Sequence, residues 1–145
     1  MPIVGPGLAP GLPTLAAPWL TGLRDWLRAE PSVVALAGAR IYVGALPLGS
    51  TLPALAISRV GGGMGDTDTE DLALVQVEAW AGGGAAAETL ITTVVAAMGS
   101  APPMTALTVS TQLMGAALNS LVWAPDPDTD TARYIATMDA HVRVV

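Results

Sequence analysis

The chain has 145 residues, enough for one domain with its own core, and it lacks cysteine, which excludes a disulfide framework and a thiolate site. Its net charge is −6, and its six basic residues are all arginines. A protein that binds nucleic acid along the phosphates needs many basic residues clustered on one face, so this composition argues against that class. Hydrophobic residues make up 52% and charged residues only 12%, about half the usual quarter. A monomer so poor in charge cannot cover itself with polar groups, so we expect neighbouring protein to cover part of its surface.

The first segment, residues 1–17, is rich in proline and glycine and has no basic stretch typical of a secretory signal. Proline and glycine disfavour helices and strand interiors. We therefore expect an irregular arm that either lies over its own domain or a neighbour, or remains a flexible tail. The domain itself is predicted to span residues 18–145.

A helix is predicted from Pro18 to Glu30, because proline suits the first helical turn and apolar residues follow at three- and four-residue spacing. These apolar residues are Trp19, Leu20, Leu23, Trp26 and Leu27. We interpret the stripe as a face packed on a sheet rather than as a binding site. Residues 32–37 are expected to add one further turn, ending at Gly38.

The centre of the sequence predicts a β-hairpin with an oversized loop. Residues 54–60 and 72–80 have the composition of strands, and the second run alternates apolar with polar side chains. Between them lies an acidic, glycine-rich stretch, residues 61–71, which we expect to be a long solvated loop.

The second half predicts another helix and more strands. Residues 85–98 are almost uncharged, so we expect a helix buried on more than one side, and it is shorter than the ~20 residues of a bilayer span. Residues 106–122 suit one or two strands around Gly115, and residues 125–131 an acidic turn. Residues 133–143 alternate cleanly as a final strand. The sequence thus predicts an α+β fold, a small mixed, mainly antiparallel sheet flanked by two helices.

Two acidic stretches are candidate metal sites, and one histidine is a candidate catalytic residue. Acidic residues alternate at 66–70 and again at 126–130, but neither stretch has the glycine and glutamate that a calcium loop needs at positions six and twelve. His141 stands two residues from Asp139, yet there is no GxSxG elbow or cysteine to supply a nucleophile. We therefore expect neither an enzyme nor a metal or cofactor site.

The order of several short motifs resembles the tail terminator, or tail-completion, family of long-tailed bacteriophages. The stretch WLRAEPSVVALAGARIYVGALPLGSTLPALAISRVGG is followed by VQVEAWAGGGAAAETL, an acidic turn and RYIATMDAHVRV. The similarity covers roughly residues 19–145. The Pro/Gly arm and the absence of lysine depart from it.

The resemblance implies a structural protein of the virion, located at the tail–neck junction after assembly in the host cytoplasm. Such a protein forms a homo-oligomeric ring, commonly of six subunits, that caps the head-proximal end of the tail tube. It stops tube growth and joins the head-completion or stopper protein, while DNA passes through the lumen without specific binding. No membrane is implied.

Two residue sets are candidate contacts in such a ring. The hairpin set would reach a subunit or the tube and comprises Arg59, Gly62, Met64, Asp66, Asp68, Glu70 and Asp71. The strand set would face the lumen or an interface and comprises Arg133, Asp139, His141 and Arg143. The alternatives are a head–tail connector or stopper and, from another class, a small ligand-binding or hydrolytic α+β protein using His141 and Asp139.

Overall fold

The computed structural model describes residues 19–64 and 69–145, which form a six-stranded sheet with helices packed on one face. The elements are α1 (Trp19–Arg28), α2 (Pro31–Ala37), β1 (Ile41–Val43), β2 (Ala54–Met64), β3 (Glu70–Ala81), α3 (Gly84–Gly99), β4 (Thr105–Ala106), β5 (Thr111–Trp123) and β6 (Ala132–Val144). The predicted α+β class is confirmed. The predicted arm, residues 1–17, lies outside the described residues, as does the predicted helix start at Pro18.

The strand order is β1-β2-β3-β6-β5-β4, with β1 parallel to β2 and every other pair antiparallel. The mixed, mainly antiparallel sheet was predicted correctly. Two long hairpins, β2–β3 and β5–β6, meet at the β3–β6 pair, which runs without a register shift, whereas the outer pairs β2–β3 and β5–β6 contain bulges. The sheet therefore has a regular centre and irregular flanks.

The core lies between the helices and one face of the sheet. Val75, Val77 and Ala79 of β3 point into it, opposite Met138 and Ala136 of β6, as the alternating pattern predicted. The helices contribute fully buried large side chains: Trp19, Leu23, Leu27, Leu90, Ile91 and Val94. Each such aliphatic residue contributes about 1.5–3 kcal/mol by leaving water.

Residues 19–64 and 69–145 contain three helices, so the prediction of two flanking helices was wrong. Residues 31–37 form a separate helix rather than a further turn, because Pro31 starts it while Glu30 is extended, with φ −82° and ψ 114°. The helix α3 is buried along one side only, which corrects the expectation of burial on several sides. Its outer threonines bond their own helix: the Thr93 hydroxyl donates to Thr89 O at 2.7 Å.

The predicted loop at residues 61–71 is mostly paired strand, so that prediction was also wrong. Only residues 65–69 separate β2 from β3, and the three glycines pair with Leu74, Ala73 and Leu72. A bulge between Arg59 and Gly61 accommodates them. The glycines had suggested a loop, but here they pair with β3, and Gly62 just after the bulge has φ +91°, a conformation that favours glycine.

Residues 106–122, predicted as one or two strands, contain most of a single strand, β5, that continues through a bulge at Gly115. The acidic turn at residues 125–131 and the final strand are both present as predicted.

Candidate assembly surface

The hairpin set of candidate contacts is organised around the carboxylate of Asp71. Its Oδ1 accepts a hydrogen bond from Arg59 Nη2 at 2.7 Å, and its Oδ2 accepts from Arg59 Nη1 and from Trp19 Nε1, the latter at 3.0 Å. Arg59 Nε also donates to Gly61 O at 3.1 Å. Helix α1, the bulge in β2 and the start of β3 are thus joined through one carboxylate, with charge-assisted bonds that are shorter and stronger than neutral ones.

This geometry corrects the expectation that Asp71 keeps a loop solvated, because Asp71 is only 1% exposed. Its oxygens are used inside the subunit, so it offers a partner no surface. Glu70 and Gly62 are at least partly exposed and remain available at this end of the hairpin. The backbone of Met64 pairs with Asp71.

Two other members of the hairpin set, Asp66 and Asp68, lie outside the described residues. They are attached to a well-paired hairpin on both sides. The hairpin set therefore divides into two parts. Asp71 and the partly buried Arg59 pair within the subunit, and the residues from Gly62 to Glu70 make up what we call the hairpin tip.

The strand set lies together on the sheet face opposite the helices, which we call the bare face. Register places Arg133 beside Trp80, Asp139 beside Leu74, His141 beside Leu72 and Arg143 beside Glu70. The prediction that these four β6 residues share one face is confirmed. Their side chains are half-buried or exposed, since the helices pack on the other face.

Arg133 is held within the subunit. Its guanidinium lies 4.7 Å from the centroid of the Trp80 ring, and its Nε donates to Ala124 O at 2.7 Å. Glu78 Oε1 is 3.9 Å from its Nη1 and accepts a hydrogen bond from Trp80 Nε1 at 3.1 Å. This cation–π and ion-pair cluster fixes Arg133 at the end of the bare face near the β5–β6 turn.

The structure gives His141 and Asp139 different neighbours. Asp139 Oδ2 accepts from Asn119 Nδ2 at 3.2 Å, while His141 Nε2 lies 3.8 Å from Glu70 Oε1 and has no hydrogen-bond partner among the described residues. Arg143 Nη2 donates to Gln112 Oε1 at 3.2 Å. A catalytic base needs its orienting carboxylate within hydrogen-bond reach, so this geometry gives the hydrolytic alternative no support.

Two recesses lie toward opposite ends of the bare face. One, of about 460 Å³, lies between the β1–β2 loop and the β5–β6 turn and is lined by Leu48, Trp80 and Arg133 among others. The other, of about 400 Å³, is lined mainly by small residues together with Leu72 and His141.

The acidic turn at residues 125–131 is stabilised by its own carboxylate. Asp126 accepts from the backbone N–H of Asp128 at 2.9 Å and from the Thr129 hydroxyl at 3.0 Å, and these two hydrogen bonds lower the pKa of Asp126. Across residues 19–64 and 69–145, no three acidic or histidine side chains come together as metal ligands would. The Asp126 carboxylate therefore stabilises the turn by accepting hydrogen bonds within it.

The outer half of β5 was predicted as strand, but its exposure was not. β4 pairs only with Leu113 and Gln112, so residues 114–123 have no strand partner on that side among the described residues. Residues 117–123 are all exposed, including Leu118, Leu121 and Trp123, and β5 carries no charged side chain. The long charge-free interval was the available signal, but an apolar strand at a surface has the same composition as a buried one.

These features are typical of an interaction domain. Helices cover the core on one side of the sheet, the bare face has two recesses, and the outer half of β5 exposes apolar side chains. In the described part of the chain, no helix has the length and apolarity to cross a membrane. A model of the family Tail completion protein gp17 matches residues 21–143, so the chain belongs to that family. Membership of this family supports a structural role in the phage tail.

Among solved structures, a chain from the "Virion of native gene transfer agent (GTA) particle" matches with a TM-score of 0.58. It is 21% identical in sequence, and the match covers 88% of this chain and 99% of that chain. At this identity the likeness establishes the fold. No curated protein matches the chain.

Proposed function

We propose that this protein forms a ring, of six subunits, on the head-proximal end of the tail tube. The ring stops growth of the tube and presents its other side to the head-completion or stopper protein. The observation that carries this proposal is the uncharged, exposed outer half of β5, residues 117–123, in a member of a tail-completion family. Such an edge in an isolated monomer invites aggregation, so a closed assembly is its natural environment.

In this proposal the hairpin tip and the bare face make different contacts. The tip, with Glu70, Gly62 and the intervening Asp66 and Asp68, contacts the next subunit or the tube. The bare face, with Asp139, His141 and Arg143, faces the lumen or an interface. The net charge of −6 suits a lumen through which DNA slides, since like charge repels phosphate.

Tail length in particles assembled without this gene tests the proposal. Loss of a terminator gives overlong tails that are not attached to filled heads, visible by electron microscopy. Tails of normal length that fail to join heads contradict termination and assign the protein to the connector or stopper class. Restoring the gene in trans must restore both length and joining.

Native mass of the purified protein at rising concentration tests the ring itself. A discrete species at six times the subunit mass supports it. If the protein stays monomeric, the same measurement is made with tail tubes present, and a failure to assemble there as well contradicts the ring.

A further inference from the structure

The free edge of β5 has the properties of a docking site for one extended segment. Residues 114–123 have no strand partner on one side among residues 19–64 and 69–145, and at about 3.3 Å per residue they offer about 30 Å of edge. Leu118, Leu121, Val122 and Trp123 are between 42% and 52% exposed. An incoming strand would receive hydrogen bonds from this backbone and apolar contacts from these side chains.

The occupant must be apolar, because β5 has no charged residue to pair with one. Asp139, the nearest charged side chain on the bare face, is hydrogen-bonded to Asn119. A strongly charged partner peptide would lose solvation there without an ion pair in return. The matching segment is therefore uncharged and able to pair along one edge.

The sequence of residues 2–12, PIVGPGLAPGL, meets both conditions. It has no charge, and its three prolines stand at positions 2, 6 and 10, all of the same parity. In an extended chain, successive residues direct their N–H and C=O groups to opposite edges. The prolines therefore interrupt only one edge, and every residue of the other, from Ile3 to Gly11, keeps its N–H donor, which is the arrangement tolerated in an edge strand.

The side chains of this segment are also sorted by parity. The even face carries Val4, Leu8 and Leu12 with the prolines, whereas the odd face is glycine and alanine except at Ile3. The exposed apolar residues Leu118, Leu121 and Trp123 pair with core-facing residues of β6, so they lie on the helical side of the sheet. When residues 2–12 pair with β5, their bulky even-numbered side chains can contact these apolar residues if they point to the helical side of the sheet. The small odd-numbered side chains then point to the bare face.

We infer that residues 2–12 of one subunit add a strand to the free β5 edge of a second copy of this chain, an inference that rests on the proposed ring. The arm joins the domain at Trp19, which is anchored to Asp71 at the far end of the sheet from Trp123. In the same subunit, residues 105–108 lie across the near end of that edge, and Gly22 packs directly on the backbone of Leu107. The arm of the same subunit would have to pass these residues to reach residues 114–123, whereas the arm of a neighbouring subunit in the ring can approach that edge from outside.

Disulfide trapping tests this directly, because the chain has no cysteine of its own. Val4→Cys and Leu121→Cys variants are mixed under assembly conditions, with tubes present, and oxidised. The inference expects a band of twice the subunit mass in the mixture and not in either variant alone. Leu48→Cys on the β1–β2 loop, where the side chain is more exposed than that of Leu121, is the control and must give no such band with Val4→Cys.

Three results would overturn it. These are no dimer band in the mixture, an equal band with the Leu48→Cys control, or an internal crosslink at monomer mass in the Val4→Cys/Leu121→Cys double variant without a dimer in the mixture. The last would place the arm on its own subunit.

A second measurement uses deletion of residues 2–12 and Leu121→Lys, with Leu48→Lys as the control. Each of the first two should raise the concentration for half-assembly by at least about tenfold, while the control leaves it unchanged. Rings that form normally without the arm overturn this inference and leave the proposed terminator standing. Absence of rings in the unaltered protein, even on tubes, instead removes the proposed function.

Discussion

Trp19 Nε1 donates a hydrogen bond of 3.0 Å to Asp71 Oδ2, which joins the first described residue of α1 to the start of β3 across 52 positions of sequence. The same carboxylate is ion-paired with Arg59 beside the β2 bulge. Helix α1 and both strands of the β2–β3 hairpin are therefore joined to one another beside residues 65–68.

The two members of this ion pair should differ in what their loss costs. Arg59→Met leaves a carboxylate with 2% side-chain exposure unpaired, and we expect a loss of about 3–5 kcal/mol in the free energy of unfolding. Asp71→Asn leaves an arginine whose side chain is 25% exposed and can reach water, so we expect a smaller loss of about 1–3 kcal/mol. Urea unfolding measures both, with Asp25→Asn on the exposed side of α1 as the control. Equal costs would contradict the asymmetry.

Two adjacent glycines of β2 should respond very differently to alanine. At Gly62 a Cβ would lie 2.1 Å from Leu72 O with φ at +91°, so Gly62→Ala should cost at least about 2 kcal/mol. Gly63 has open space around the corresponding position, so Gly63→Ala should change stability by no more than about 0.5 kcal/mol. Thermal and urea unfolding compare the pair. A neutral Gly62→Ala would show that the bulge relaxes.

The strands β3 and β6 were predictable because each alternates apolar and polar side chains. This alternation is typical of a strand with one face in the core and one toward solvent. The glycine-rich part of β2 was not, because the pairing of β3 with both β2 and β6 outweighed the low strand propensity of glycine. Propensity is local, whereas the bulge at Arg59 and Gly61 is set by the partner strand.

The candidate site was predictable only in part, for a related reason. The strand set shares a face as the alternation required, but Asp71 looked solvated because it ends an acidic run. Its two partners, Arg59 and Trp19, are distant in sequence, so no local pattern indicates that it is buried. The exposure of β5 was not predicted, because hydrophobicity alone does not distinguish a buried strand from an exposed one.

Arg133 should not tolerate lysine. Arg133→Lys removes the flat contact with Trp80 and the Nε bond to Ala124 O, and we expect a loss of about 1–2 kcal/mol in the free energy of unfolding. Arg143→Lys is the matched control on the same face. Within the described part of the chain, Arg143 donates one side-chain hydrogen bond, to Gln112, and lysine can replace it. Similar losses in the two variants would contradict the role of stacking.

The turn at Asp126 should contribute a pH-dependent part of stability. Hydrogen bonds from Asp128 N–H and Thr129 Oγ1 hold the pKa of Asp126 below its ordinary value of 3.8. The contribution is therefore present above that pH and is lost as the pH falls through the folded-state pKa.

The stability difference between the unaltered protein and Asp126→Asn should thus shrink on acidification below pH 3.8. Thr129→Val, which removes one donor, should move the pKa of Asp126 part of the way back, as measured by NMR titration. A pKa for Asp126 at or above 3.8 would contradict this account.

The hairpin tip can be altered without touching its base. Replacing residues 65–68 with Asn-Gly keeps Met64 paired with Asp71 and keeps Thr69 O as the acceptor for Val144 N–H. The urea midpoint should therefore be unchanged, while ring formation or attachment to tubes should be impaired if the tip makes the proposed contacts. Native mass and electron microscopy of tails are the measurements, and Val109→Ser at the exposed β4–β5 turn is the control. Normal rings and tails from the shortened hairpin would assign the contacts to the β5 edge and the bare face instead.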